Sequence, residues 1–457
     1  MTGAPAPRPR FADHLAVVGL LLMTVAGIVP FVLHLLVAPF TTPRARRRLA
    51  ARLREPARPP DEAPPPDPAA WAGKTVFVVA GEPSGDRLAA RVVTALRARA
   101  PGLTVRGYGG PALAAAGARL DRSIVEHAVV GFAAVAASLP TWWRLCAETL
   151  ARFREAPPDV LLTVDFPGLN LRLARWARLR GIRTVHLIAP QTWAWAPWRT
   201  GRLRRAVDRL LVAFPFEAPW FRDQGLDARY VGHPLFEAPL PPPASPDALP
   251  AAPLVELRPG SRRREVRRQG PTVVAAAREA GRLVPSARFV VRLASARAHD
   301  AFVAATGGPA TWPAGLAVHV GPGDLGGPVA AALTTSGTST AELAVAQVPM
   351  VVFYRLPLLL RALRPAFLLS PYFAMANVLA GARVVEERLV GAGSGPSLGA
   401  SLAALLTDRV RWDATRAALG VVRARVTHPD VSDRVARAVL ESFARGSTGP
   451  PKSTGQL

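Results

Sequence analysis

Short apolar runs rich in β-branched residues alternate along the chain with longer stretches in which apolar positions recur every three or four residues. The short runs occupy residues 75–80, 159–164, 183–188, 209–214, 254–257, 288–293, 316–320, 331–334 and 349–354. Runs of this kind are typical of buried strands, and the longer stretches are typical of amphipathic helices. The alternation predicts an α/β protein built from parallel sheets with helices on both faces.

A proline- and alanine-rich stretch at residues 241–253 interrupts this alternation. Because 457 residues are too many for one ordinary hydrophobic core, we place a domain boundary there, near residue 245. The prediction is two Rossmann-like domains, residues 73–245 and residues 246–445, the second ending in C-terminal helices. Residues 446–457 are predicted to form a disordered tail.

The amino-terminal segment follows a different pattern. Residues 15–40 contain no Asp, Glu, Lys or Arg. A helix of this length, at about 1.5 Å per residue, exceeds the roughly 30 Å hydrocarbon core of a bilayer. We therefore predict a membrane anchor and a basic juxtamembrane segment over residues 1–54, and Pro30 leaves both a tilted span and a re-entrant hairpin open. The alternative is a buried helix of a soluble domain.

Arginines are dense after this apolar segment. Six lie between residues 44 and 54, against two before residue 15. The bias predicts an inner-membrane protein whose later domains lie on the cytoplasmic face. Residues 55–72, rich in proline, are predicted to form a semi-rigid linker.

Composition adds a strong basic bias. The chain carries 57 Lys and Arg against 32 Asp and Glu, a formal net charge of +25. The excess reflects either a compositional bias or attraction to anionic membrane lipids and phosphorylated substrates. Nucleic acid is not an expected partner, because the basic residues are dispersed. No metal site or cofactor is expected, because the eight His and the single Cys146 show no ligand spacing.

Candidate chemistry is concentrated where the apolar runs end. Five polar segments follow such runs, at residues 81–86, 164–167, 190–195, 259–265 and 336–342. In an open α/β sheet the carboxyl ends of the strands line the ligand crevice. Three segments fall in the first predicted domain and two in the second, which predicts a ligand cleft between two sheet domains.

The first domain offers acidic candidates. Glu82 and Ser84 lie in a glycine-containing turn after the first strand, a sequence that suits a helix start or a ligand contact. Asp165 follows the second strand and is either a helix cap or a base that removes a proton from a sugar hydroxyl. No Gly-Lys-Ser/Thr sequence is present at the first turn, which excludes a Walker A loop.

An aromatic and basic group follows the third strand. Gln191 and Trp195 stand just before Arg199 and further arginines. This group either packs in the core or seats an acyl chain or sugar and steers a phosphate. His233 lies near the predicted hinge, where a structural and a catalytic role are both open.

The second domain offers an anion site. Gly260, Ser261 and Arg262 open a helix. The backbone N–H groups and the dipole at such a helix start favour an anion. Arg262 adds a contact that suits a diphosphate.

A matching loop, Ser336, Gly337 and Thr338, follows a later strand. Its small side chains admit phosphate or ribose close to the backbone. Glu342, one turn further on, is positioned to accept hydrogen bonds from ribose hydroxyls.

Eleven short motifs, in their order along the chain, together resemble those of a known protein family. They are Gly-Glu-x-Ser-Gly-Asp (81–86), Gly-Gly-Pro (109–111), Val-Gly (130–131), Asp-x-Pro-x-x-Asn (165–170), Pro-Gln-x-Trp-Ala-Trp (190–195), Phe-Pro-Phe-Glu (214–217), Gly-His-Pro-Leu (232–235), Pro-Gly-Ser-Arg-x-x-Glu (259–265), Ser-Gly-Thr (336–338), Pro-Met-Val-Val-x-Tyr-Arg (349–355) and Asn-x-Leu-Ala-Gly (377–381). The chain from about residue 75 to 440 resembles lipid-A-disaccharide synthases, which are GT-B glycosyltransferases of the Gram-negative inner membrane.

The resemblance implies an inverting transfer of glucosamine from UDP-2,3-diacylglucosamine to the 6-hydroxyl of 2,3-diacylglucosamine 1-phosphate. It implies Asp165 as the base, and Glu82 and Ser84 near the reacting sugars. It also implies UDP phosphates at Arg262 and at residues 336–338. The nucleotide side is completed by Glu342 and Asn377, and a homodimer is left open.

Five positions depart from the family pattern, namely Ala134, Gly168, Ala196, Arg258 and Ala376. They leave two alternatives open. One is a diverged GT-B transferase or UDP-sugar epimerase with another acceptor. The other is a non-catalytic membrane protein that binds lipid or nucleotide.

Overall fold

The computed structural model divides the chain into two compact units. The described residues are 9–10, 13–14, 17–18, 28–55, 61, 71–124, 132–355, 364, 366, 368–391 and 393–444. The first unit comprises Met1–Thr41, Ala57–Ala238 and His428–Leu457, and the second comprises Thr42–Pro56 and Pro239–Thr427. The boundary therefore precedes the predicted one near residue 245.

The amino-terminal helix α1 spans Ile28–Arg54. Its residues 42–54 belong to the second unit, where Leu49 and Leu53 are buried. These residues are therefore part of a folded unit, while their predicted juxtamembrane location stays a prediction. Among the described residues, no helix is both long and apolar enough to cross a bilayer. The membrane helix predicted over residues 15–40 is therefore unsupported, although residues 15–16 and 19–27 lie outside the described residues.

Two further predicted segments fall largely or wholly outside the part of the chain that the structure describes. The tail at 446–457 lies wholly outside it, and so does most of the linker at 55–72. Asp61, a described residue of the linker, accepts a hydrogen bond from the Tyr230 N–H at 2.8 Å. The linker is therefore attached to the first unit at this residue.

A seven-stranded parallel sheet forms the first unit. Its strands are β1 (Thr75–Ala80), β2 (Thr104–Gly109), β3 (Arg119–Ser123), β4 (Val160–Val164), β5 (Arg183–Leu187), β6 (Arg209–Val212) and β7 (Ala228–Tyr230). They lie in the order β3-β2-β1-β4-β5-β6-β7. The central strands β1 and β4 are buried almost throughout, as expected of a parallel sheet covered on both faces.

Helices connect these strands. They are α2 (Pro83–Arg99), α3 (Pro111–Ala115), α4 (Phe132–Glu155), α5 (Pro167–Leu179), α6 (Thr200–Ala206) and α7 (Glu217–Arg222). Proline stands in the first turn of α2, α3 and α5, where its missing N–H leaves no helical hydrogen bond unmade. Each of these three helices begins two or three residues after the carboxyl end of a strand.

A six-stranded parallel sheet forms the second unit. Its strands are β8 (Leu254–Arg258), β9 (Arg288–Leu293), β10 (Leu316–Val320), β11 (Val329–Thr335), β12 (Met350–Arg355) and β13 (Glu386–Val390), in the order β10-β9-β8-β11-β12-β13. Its helices are α8 (Arg263–Leu283), α9 (Ala296–Thr306), α10 (Thr338–Val345), α11 (Met375–Ala380), α12 (Gly395–Thr407) and α13 (Arg409–Val426). All nine predicted apolar runs form strands, so the prediction of two parallel-sheet Rossmann-like domains is confirmed.

Strand order reverses once in each sheet, between β1 and β4 in the first unit and between β8 and β11 in the second. In register, Ala80 pairs with Val164 and Arg258 pairs with Thr334. Adjacent loops diverge at such a reversal and leave a crevice beyond the carboxyl ends of the strands. Four of the five predicted functional segments, at residues 81–86, 164–167, 259–265 and 336–342, therefore flank a reversal point, and the fifth, at residues 190–195, follows the neighbouring strand β5.

The last helix, α14 (Val431–Ala444), returns to the first unit. Val439 and Leu440 are fully buried in one hydrophobic cluster with Leu88 and Val92 of α2. This corrects the assignment of all C-terminal helices to the second domain. The cause is a packing contact between segments more than 330 residues apart, which no local pattern reveals.

We expect Leu440→Ala to lower the free energy of unfolding by about 2–5 kcal/mol, because it leaves a cavity in the first core. The matched control is Leu179→Ala, since Leu179 is 52% exposed at the end of α5 in the same unit. Urea unfolding of both variants measures the difference. Equal effects of the two substitutions would contradict the placement of α14.

Candidate functional site

The turn between β1 and α2 carries Glu82 and Ser84. Both are half-buried, and Glu82 stands at the N-cap position of α2 with an extended backbone. The nearby Asp86 carboxylate accepts hydrogen bonds from the N–H groups of Gly110 at 2.7 Å and Ala112 at 3.0 Å. Asp86 therefore caps α3 and ties this turn to the loop after β2.

Asp165 follows β4 in an unusual backbone conformation. Asp165 and Phe166 both have a φ of 48°, in the left-handed region that side-chain-bearing residues seldom adopt. The Phe166 ring lies so close to Gly81 that a Cβ there would stand 2.4 Å from the Phe166 Cδ1 atom. The turns that carry Glu82 and Asp165 are therefore in direct contact.

Asn170 donates hydrogen bonds to the backbone of this turn. Its fully buried side-chain amide donates to the carbonyl oxygens of Asp165 at 2.7 Å and Val164 at 3.1 Å. In the sequence, Asn170 is the last residue of the Asp-x-Pro-x-x-Asn motif, which assigns it no role. The structure shows it as a positioning residue for the Asp165 peptide.

The two motif tryptophans have different environments. Trp193 is buried, and its Nε1 donates to Glu217 at 2.9 Å. Glu217 also accepts from two backbone N–H groups, while its burial raises its pKa to about 7. Trp195 is 48% exposed, with the Arg199 guanidinium 5.3 Å from its ring centre. Core packing therefore explains Trp193, and Trp195 remains available to a ligand.

A basic group lies beside Trp195. Gln191 is exposed, and Arg172 of α5 is half-buried. Arg199 has an exposed surface, although its guanidinium group is partly buried. Partial burial lowers the pKa of the Arg199 guanidinium, and the nearby charges of Arg202 and Arg172 lower it further. Three guanidinium groups that repel one another form a region of positive potential that favours an anion.

His233 packs inside the first unit. It is 7% exposed, lies against the rings of Phe214 and Phe236, and accepts a hydrogen bond from the Leu235 N–H at 3.2 Å. Burial lowers its pKa to about 4, so the ring is neutral near pH 7. These contacts favour the structural role over the catalytic one.

In the second unit, the start of α8 holds a carboxylate of its own. Gly260 has a φ of 124°, and the Glu265 carboxylate accepts from the N–H groups of Ser261 at 3.3 Å and Arg262 at 3.4 Å. The Arg262 guanidinium also contacts Glu265 at 3.3 Å and is 54% exposed. The carboxylate therefore occupies donors that the sequence assigned to a phosphate, which indicates a site suited to anionic oxygen atoms.

The loop after β11 is open at its glycine. Gly337 has a φ of 149°, and a Cβ there would meet nothing within 4 Å. The Ser336 hydroxyl donates to the Phe373 carbonyl at 2.5 Å, so it is used inside the protein. Gly337 is the N-cap of α10 and supplies no side-chain cap, and Thr338 is the first residue of this helix. The loop therefore presents its main chain to an approaching anion.

Glu342 of α10 is engaged by Arg258. Their side chains meet at 2.9 Å, and Arg258 also pairs with Glu256 at 2.9 Å. Arg258 is one of the departures from the family pattern, and this contact gives it a role that sequence reasoning missed. Glu342 is half-exposed, so it keeps one side open while Arg258 holds the other.

The side chain of Asn377 is hydrogen-bonded inside the second unit. Its side chain is fully buried, and its oxygen accepts from the N–H groups of Val384 at 2.8 Å and Val385 at 2.9 Å. Its Nδ2 donates to the Val385 carbonyl at 3.0 Å. The amide joins α11 to the segment before β13, which favours a structural role for this side chain over a direct contact with a nucleotide.

No cluster of three metal-ligating side chains occurs among the residues that the structure describes. Two Rossmann-like units in one chain, each with predicted functional segments at the carboxyl ends of its strands, are typical of a GT-B glycosyltransferase fold. Solved structures agree at the level of the fold. A Staphylococcus aureus MnaA–UDP structure superposes with a TM-score of 0.54 at 11% identity, covering 81% of this chain and 98% of that one.

Arabidopsis thaliana UGT89C1 complexed with UDP gives a TM-score of 0.53 at 15% identity, covering 81% of this chain and all of that one. The family described as lipid-A-disaccharide synthetase matches residues 76–418. The chain belongs to this family.

Two curated relatives illustrate the similarity. The lipid-A-disaccharide synthase of Geobacter metallireducens is 33% identical over 381 residues, covering 81% of this chain and 98% of the relative. That of Anaeromyxobacter dehalogenans strain 2CP-1 is 36% identical over 373 residues, covering 80% and 96%. The family match at residues 76–418 spans both units and includes every predicted site residue.

We expect Asn170→Ala to lower the turnover number about tenfold or more, because two carbonyl groups around Asp165 lose their buried donor. UDP affinity should stay unchanged, since the residues predicted to bind the nucleotide lie in the other unit. Steady-state kinetics and calorimetric UDP titration measure the two quantities. An unchanged turnover number would contradict the positioning role.

Proposed function

We propose that the chain is an inverting glycosyltransferase that joins UDP-2,3-diacylglucosamine to 2,3-diacylglucosamine 1-phosphate. The products are a β-1,6-linked disaccharide 1-phosphate and UDP. The observation that carries the proposal is the family match across both units, with Asp165 present at the strand-order reversal of the first sheet. Family membership identifies the chain as a lipid-A-disaccharide synthase, and its fold is GT-B.

In this proposal Asp165 takes the proton of the acceptor 6-hydroxyl. The freed oxygen attacks the anomeric carbon of the donor sugar from the face opposite UDP, the bond to UDP breaks, and the configuration inverts. A general base contributes typically 10²–10⁴-fold to such a step. Glu82 and Ser84, on the turn in contact with Phe166, line the acceptor side.

The leaving UDP carries the developing negative charge to the second unit. We assign its phosphates to the Arg262 guanidinium and to the backbone at Ser336, Gly337 and Thr338, because preorganised donors stabilise a charged leaving group. A diphosphate that binds Arg262 replaces the Glu265 carboxylate, whose contacts of 3.3–3.4 Å are long and weak. Glu342, held by Arg258, is assigned to the ribose hydroxyls.

The acceptor carries a phosphate and acyl chains. We assign the phosphate to the basic group of Arg199 and Arg202, and a sugar or acyl surface to the exposed face of Trp195 with Gln191 at its edge. The net charge of +25 supports association with anionic lipids on the cytoplasmic face of the inner membrane. The apolar residues 15–40 are proposed to add an anchor.

The decisive experiment incubates the purified full-length chain with both diacyl sugars in detergent and detects products by mass spectrometry. The proposal expects a tetra-acyl disaccharide monophosphate and UDP in equal amounts. UDP release without disaccharide would instead indicate another acceptor. Absence of both products would leave a binding protein.

Asp165→Asn is expected to reduce turnover by about 10²–10⁴-fold, because the amide cannot accept the hydroxyl proton. UDP binding should persist. The control is Asp223→Asn, an exposed acid of the same unit. The coupled assay for UDP release measures both variants, and wild-type turnover by Asp165→Asn would remove Asp165 from the base role.

Arg262→Ala is expected to weaken UDP binding by about 1.5–3 kcal/mol, the usual range for hydrogen bonds to charged groups. Arg264→Ala is the control, since Arg264 is exposed on the same helix turn. Isothermal titration with UDP gives both dissociation constants. A dissociation constant raised equally in both variants would show that general positive charge, and not Arg262 in particular, holds the diphosphate.

A further inference from the structure

Residues 42–54 of α1 precede the family region and contact the second unit along one segment of chain. The Thr42 hydroxyl donates to the Ala366 carbonyl at 3.1 Å. The Arg46 Nε donates to the Leu368 carbonyl at 2.8 Å, and a second guanidinium nitrogen reaches the Arg364 carbonyl at 3.4 Å. This end of the contact therefore holds backbone oxygens in place.

The other end of the contact is a close backbone approach. Gly381 follows α11 with a φ of 67°, and a Cβ there would lie 2.3 Å from the Leu53 carbonyl oxygen. Leu49 and Leu53 are buried along this part of α1. Together, the contacts of residues 42–54 bracket the segment 364–381.

The same segment holds the loop that we assign to UDP. The Phe373 carbonyl accepts from the Ser336 hydroxyl at 2.5 Å, and the Met375 N–H donates to the Thr340 hydroxyl at 2.9 Å. The Tyr372 hydroxyl reaches the Gly381 carbonyl at 3.3 Å. The segment therefore lies between α1 on one side and the first turn of α10 on the other.

The position of Arg46 suits a specific structural contact. Its guanidinium is half-buried, and burial together with the charge of Arg364 lowers its pKa. Arg47 and Arg48, the next two residues of the same helix, are exposed. One arginine of the basic run is thus inserted into the fold while its neighbours face solvent.

We propose that residues 42–54 of α1, through Arg46, are a positioning element for donor-nucleotide binding. They hold segment 364–381, which in turn holds Ser336 and Thr340 in the conformation that receives UDP. The proposal rests on the proposed function, because it takes the loop at residues 336–338 as part of the UDP site. A segment outside the family region thereby contributes to the affinity of the family's site.

The test compares Arg46→Ala with the control Arg48→Ala in the full-length chain. Arg46→Ala is expected to raise the dissociation constant of UDP and the KM of the donor by about fivefold or more. The acceptor KM and the turnover number at saturating donor should stay unchanged. Arg46→Lys should recover part of the affinity, because an ammonium group can still donate to the Leu368 carbonyl.

Wild-type UDP affinity in Arg46→Ala would overturn the proposal, and so would an equal loss in Arg48→Ala. Should Arg46→Ala fail to fold, hydrogen exchange in the wild-type chain decides. Coupling is reciprocal, so UDP must slow exchange in peptides that cover residues 42–54. Unchanged exchange there, with UDP bound, would also overturn it. If the wild-type chain binds no UDP at all, the proposed function fails first.

Discussion

The contact between the Phe166 ring and the backbone of Gly81 is the constraint on which the predicted site residues of the first unit depend. It joins the loops after β1 and β4, the two strands between which the sheet order reverses. Only glycine leaves room for the ring, and the ring in turn helps to hold two consecutive residues in the left-handed region. Asn170 completes this support by hydrogen bonding to the peptide of Asp165. The carboxylate is thus presented by a turn that its surroundings over-determine.

The predicted site residues of the second unit depend on ion pairs with one another. Glu256 pairs with Arg258, which pairs with Glu342 on helix α10. At the start of α8, Arg262 and Glu265 form a similar internal pair. Donors and acceptors that await a ligand are expensive to leave unpaired, so a partly exposed internal partner keeps them ordered and is weak enough to exchange. We propose that an anionic substrate replaces one carboxylate without a large rearrangement of the helix start.

The basic bias of the chain serves several roles at once. Many arginines pair with carboxylates inside the fold, as Arg209 does with Glu441 and Arg106 with Asp121. Arg46 instead bonds to backbone carbonyls. The remainder gives the net positive charge that suits a phosphorylated lipid substrate at an anionic surface. Charge count alone therefore leaves a compositional bias and an anionic partner both open, and contacts within the fold decide which arginines remain available for such a partner.

The sequence by itself determined the α/β class, nine of the strands and the functional segments at their carboxyl ends, because burial on both sheet faces requires continuous apolar runs. Strands β3, β7 and β13 lie at sheet edges and β2 contains Arg106 and two glycines, so these four lacked that signal. Only the tertiary structure decided that α14 joins the first core, that Asn377 is committed to the backbone near β13, and that residues 42–54 pack on the second unit. The reason is physical: a local pattern reports how buried a residue is, whereas its partner is chosen by chain segments that lie tens to hundreds of residues away.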